Sequence, residues 1–115
     1  MSYDLYFWKY KPGVVMDHQS ACQRLTDGEQ VEGIQQIPID SITARIKAVF
    51  STGWDQLDSK TYTSNKGAFQ LSTSTQFFCA HCNGLPSDDM NRLIEIAAEF
   101  GCSLFDPQVG TRYNG

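Results

Sequence analysis

LPSDDMNRLIEIAAEFGCSLFDPQVGTRY, residues 85–113, is the stretch whose reading decides the fold. It reads as a capped amphipathic helix running straight into a strand. Ser87 follows Pro86, and its hydroxyl is suited to hold an orphan amide of the first helical turn. Asp88 and Asp89 put negative charge at the positive end of the helix dipole. Met90, Leu93, Ile94, Ala97 and Phe100 recur at helical spacing and make one apolar stripe. Asn91, Arg92, Glu95 and Glu99 face the other way, and Asp88 precedes Arg92 by one turn, the favoured order for an ion pair. Gly101 follows Phe100 as a C′ glycine. Cys102 to Phe105 then reads as a short strand, turned out by Asp106-Pro107.

Working outward, Gly67–Thr73 and Thr75–Cys82 read as two strands with a tight turn near Ser74. Phe78, Ala80 and Cys82 share one face, and Phe77, Cys79 and His81 the other. Asn83-Gly84 leads into the helix. At the start, Tyr3, Leu5 and Phe7 alternate with Asp4, Tyr6 and Trp8, which predicts a strand over Ser2–Tyr10, ended by Lys11-Pro12-Gly13. His18, Ala21, Cys22 and Leu25 predict a short helix between an Asp17 N-cap and Gly28. Thr26 to Gln36 is polar and reads as a loop. Ile42, Ile46, Val49 and Phe50 predict a second helix, capped by Asp40 or Ser41 and ended by Gly53. Trp54 to Lys66 reads as a long exposed connection or a ragged edge strand.

The order is strand, helix, helix, strand, strand, helix, strand. It predicts a single α+β domain over residues 1–115: a ferredoxin-like sandwich with about four antiparallel strands and two to three helices on one face. Right-handed crossovers make the first strand central. A mixed sheet with another strand order is the alternative.

The chain has 115 residues, 41% of them hydrophobic, with seven Phe, five Tyr and two Trp, enough for a packed core. Its net charge of −4 speaks against a nucleic-acid partner, because phosphate binding needs a basic face. No basic and apolar leader opens it, and no apolar run approaches the roughly 20 residues of a membrane helix. We therefore expect a cytoplasmic protein with no membrane partner. Cys22, Cys79, Cys82 and Cys102 are then expected as thiols rather than disulfides.

Cys79-Ala80-His81-Cys82 is the one local constellation that suggests a site. A structural zinc site needs four ligands, and no second C-x-x-C or H-x-x-x-H follows. In a strand Cys79 and Cys82 also point to opposite faces. No cofactor and no metal are expected. His18 and His81 are each a candidate general base, but no nucleophile motif, phosphate loop or dinucleotide fingerprint accompanies them. Tyr6, Trp8 and Tyr10 with Phe77 and His81 are expected on an open aromatic sheet face, suited to a protein partner. The acids Asp55, Asp58, Asp88, Asp89, Glu29 and Glu32 are scattered near loops and a helix start.

Two stretches carry a resemblance. Met1-Ser2-Tyr3-Asp4-Leu5-Tyr6-Phe7-Trp8-Lys9, and Phe100-Gly101-Cys102-Ser103-Leu104-Phe105-Asp106-Pro107-Gln108 with Arg112-Tyr113, resemble a group of small bacterial cytoplasmic proteins. That group's closing pattern reads glycine-cysteine-proline-leucine-tyrosine-aspartate-proline-glutamine; here Ser103 replaces the proline and Phe105 the tyrosine. The group resembles immunity proteins of polymorphic toxin systems, including contact-dependent inhibition and Rhs-type or type VI effectors. The resemblance implies a non-enzymatic protein that binds a cognate toxin domain and blocks its active site. Trp54, Asp55 and Asp58 are the expected contacts, then Tyr6 and Trp8 where the sheet face is open. The rival expectations are a self-associating regulatory subunit, and a small enzyme using His81 with Cys79 or Cys82; a monomeric inhibitor is favoured.

Overall fold

The computed structural model describes residues 2–106 and 111–112. Its elements run β1 (Ser2–Trp8), α1 (His18–Thr26), α2 (Ile39–Val49), β2 (Asp55–Gln56), β3 (Thr61–Ser64), β4 (Gly67–Thr73), β5 (Phe77–Asn83), α3 (Ser87–Glu99), β6 (Ser103–Asp106) and β7 (Thr111–Arg112). The strands form one sheet in the order β2-β3-β4-β5-β1-β6-β7, with every neighbour antiparallel. The fold is α+β, and β1 is central as expected. The sheet is wider than four strands because segment 54–66 folds onto it as β2 and β3, drawn in by the buried ring of Tyr62. Pro107, Gln108 and Tyr113, which carry part of the resemblance and the expected turn, lie outside the described residues.

Alternation along each strand divides its side chains between two faces. On the front face Leu5, Phe7, Phe69, Leu71, Phe78 and Ala80 meet Ile42 and Ile46 of α2 and Leu93, Ile96 and Ala97 of α3. On the back face Trp8, Phe77, Cys79 and Phe105 meet Ala21, Cys22 and Leu25 of α1. Helices therefore cover both faces, which corrects the expectation of helices on one. The physical reason is β1 itself: Leu5 and Phe7 look one way and Trp8 the other, so both sides need apolar cover.

The loop after α1 is fastened to the back face by Gln76, a buried polar side chain. Its Oε1 accepts from the Val31 amide at 2.7 Å, and its Nε2 donates to the carbonyls of Val31 and Ile34, each at 2.9 Å. Both ends of the amide are thereby satisfied away from water.

Helix α1 starts as read, with Asp17 Oδ2 accepting from the Ser20 amide at 2.8 Å. The other two helices begin after a proline, not at the expected polar caps. Pro38 is the N-cap of α2 in place of Asp40 or Ser41, and Pro86 that of α3, so Ser87 is already helical. Asp89, not Asp88, pairs with Arg92, at 3.2 Å. Arg92 also donates to the Val49 carbonyl at 2.6 Å and lies 4.4 Å over the Phe50 ring, tying α3 to the end of α2. The buried stripe of α3 is Leu93, Ile96 and Ala97, with Met90, Ile94 and Phe100 half-buried beside it. Gly101 ends α3 at φ +77°, the left-handed C′ position the sequence reading gave it. At Gly67 a Cβ would come 2.7 Å from the Gly84 carbonyl, so the hairpin leaves room for hydrogen alone.

Candidate functional site

Helix α1 covers only one end of the back face. Strand pairing aligns Tyr6 with Cys79 and Ser72 across β1, β5 and β4, and Asp4 with His81 and Gln70. His81, Ser72 and Gln70 are exposed there, and Asp4 is half-exposed. His81 forms a wall between two shallow depressions. One is lined by Tyr6, Thr26, Ser72, Phe77 and Cys79; the other, towards β3, by Thr61, Ala68, Gln70 and Asn83.

The His81 ring is held from both nitrogens. Asp4 Oδ1 lies 3.0 Å from Nδ1, and Ser72 Oγ lies 3.1 Å from Nε2. A carboxylate offers only lone pairs, so Nδ1 carries the hydrogen and donates. In the neutral ring Nε2 is then an acceptor, and the Ser72 hydroxyl donates to it. Cys79 Sγ, 3.8 Å from Nδ1, is a weaker second contact. A serine hydroxyl on an imidazole that a carboxylate orients is the arrangement of a base-assisted nucleophile. The amides of β5 point along the sheet into the ladders with β1 and β4, not toward the Ser72 hydroxyl.

The sequence reading singled out His81 and missed Ser72 and Asp4. It paired His81 with Cys79 or Cys82, and of the two only Cys79 brings its sulfur near the His81 ring. Cys82 belongs to the front core, and Cys79 is buried in the back core. Burial pushes the Cys79 thiol far above its ordinary range, with Asp4 adding to the effect. Burial likewise raises Cys82 to about 12 and Cys22 to about 11. These thiols hold their protons at neutral pH and are poor nucleophiles. All four cysteines are buried. His18, the other candidate base, is tied through Nδ1 to the Tyr10 hydroxyl at 2.8 Å. Among the described residues, no group of three or more His, Cys, Asp or Glu side chains is arranged to hold a metal ion.

The five expected partner contacts do not converge. Trp8 is fully buried under α1 and packs 5.4 Å from the Phe105 ring, so it is core and not surface, which corrects its assignment. Phe77 is buried as well, so the open aromatic face is closed at that end. Tyr6 is half-buried, and burial followed by the neighbouring Cys79 raises its phenol well above the usual range. Trp54 is half-buried on the opposite, front side, edge-on to Phe50 at 5.4 Å and Phe69 at 5.5 Å. Asp55 and Asp58 follow it and are exposed. Asp58 Oδ1 accepts from the Lys60 amide at 2.8 Å, and that bond lowers its pKa. Four strand spacings separate β2 from β1, about 19 Å, so Tyr6 is not part of the Trp54 surface.

No described helix is long and apolar enough to cross a membrane. Comparison with known proteins finds no matching family model, no matching curated protein and no matching solved structure.

Proposed function

We propose that this chain is an immunity-type inhibitor: a cytoplasmic protein that binds one cognate bacterial toxin domain and blocks its active site without catalysis. The resemblance of the two chain ends supports this reading. The structural observation that supports it best is Trp54. Its ring rests on Phe50 and Phe69 yet keeps an exposed side, in a connection that continues into the exposed Asp55 and Asp58. A preorganised aromatic beside acids is the composition of an interface hot spot for a basic active-site cleft. We further propose a ferredoxin-like core, supported by the order β4-β5-β1-β6, with β2, β3 and α1 as additions.

The test is co-expression with a cognate toxin domain, to be sought in the neighbouring gene. Wild-type protein is expected to protect cells and to form a 1:1 complex with nanomolar affinity, about −12 kcal/mol. Trp54→Ala is expected to stay folded and to weaken the complex by about 2 kcal/mol or more, roughly 30-fold. Asp55→Asn and Asp58→Asn remove charge while keeping an acceptor, so they are expected to slow association and flatten its salt dependence. Cell death despite abundant folded wild-type protein, with nothing retained in pull-down, sinks the proposal.

A further inference from the structure

We infer that Ser72 is an activated nucleophile that accepts an acyl group from small activated esters, with His81 as its base and Asp4 as the residue that positions His81. The inference goes beyond toxin binding. The serine is on the back face and Trp54 is on the front, so the two can succeed or fail separately.

Three observations carry it. The first is the chain of contacts, with Ser72 Oγ on Nε2 at 3.1 Å and Asp4 Oδ1 on Nδ1 at 3.0 Å. In the neutral ring the carboxylate accepts from Nδ1–H, which leaves the Nε2 lone pair facing the hydroxyl proton. The second is the scaffold. All three residues stand on the adjacent strands β1, β5 and β4, whose register sets their spacing, so no loop has to close to assemble them. The third is access. Ser72 and His81 are exposed at a depression that Thr26 and the half-buried Tyr6 also line, which leaves room for a short acyl chain.

In the step itself Ser72 Oγ attacks the ester carbonyl carbon, and its proton passes to His81 Nε2. The Oγ–C bond forms, the bond from carbonyl carbon to leaving oxygen breaks, and the alkoxide or phenolate leaves with the bonding pair. With the β5 amides spent in the sheet ladders, backbone help for the developing oxyanion is missing on that strand. Good leaving groups are therefore the substrates, and the acyl-serine accumulates because its hydrolysis is the slower half.

The experiment treats the full chain with p-nitrophenyl acetate, following nitrophenolate release and mapping acetylated peptides by mass spectrometry. A stoichiometric burst with acetyl on Ser72 is expected, and Ser72→Ala should abolish it. His81→Gln, at an exposed position, should keep the fold by circular dichroism and slow the burst about 100-fold, the low end for a general base. Asp4→Asn should also slow it, and Asp4→Glu should restore most of the rate, a rescue that a merely structural role would not give. Acetylation confined to lysines or tyrosines overturns the inference, as does a Ser72 adduct that forms equally fast in folded His81→Gln.

Discussion

Leu93→Asp is expected to abolish the folded state. Leu93 is fully buried on α3, against the front of the sheet, among Ile42, Ile46 and Phe7. An aspartate there would sit without a partner in apolar surroundings and either stay charged or take up a proton. Either route, with the lost leucine packing, costs about 4 kcal/mol or more, a large part of the stability of a domain this size. Glu95→Ala, exposed on the same helix, should shift the melting temperature by little. Ile94→Asp should fall between them, because Ile94 is only half-buried. Thermal melts of the three variants decide the matter: equal shifts for Leu93 and Glu95 would mean that the helix face is misassigned.

Trp8→Ala should have the second largest effect, about 3–5 kcal/mol by chemical denaturation. The ring is enclosed between the back of the sheet and α1, with Phe105 and Tyr10 as ring neighbours. Its removal leaves a void that rigid strands cannot close. Leu57→Ala supplies the contrast, since Leu57 is 67% exposed and should cost almost nothing. A Trp8→Ala protein of unchanged stability would restore the reading of Trp8 as a surface contact.

The sequence read best where a period was strong and local. Strands β1, β4 and β5 declared themselves by alternation, and α1 by Asp17 and its three buried residues. The strand β3 was weaker because Tyr62 is its single buried residue, flanked by threonines that suit a loop equally well. Prolines 38 and 86 pre-empted the polar caps because a fixed φ suits the edge of a helix. The side of the sheet that α1 covers was not legible. A short apolar stripe matches either face, and only the size of Trp8 hinted at the answer. The site was half legible for a related reason. His81 is conspicuous by type, but its partners are nine and 77 positions away and meet it only through strand register. Register is a property of paired strands, and a single strand's residues do not state it.

The fastening at Gln76 divides the molecule into parts of unequal durability. Helix α1 has nine residues, too short to persist alone in water, so its survival depends on its seat over Trp8 and on the loop that one glutamine secures. The back layer is therefore expected to open as a unit while α2, α3 and the sheet stay folded. In native-state hydrogen exchange, amides of residues 18–34 should exchange ahead of those in β5 and α3, and Gln76→Ala should widen that gap. A protease meeting the intact protein would then make its first cut in the stretch that joins α1 to α2.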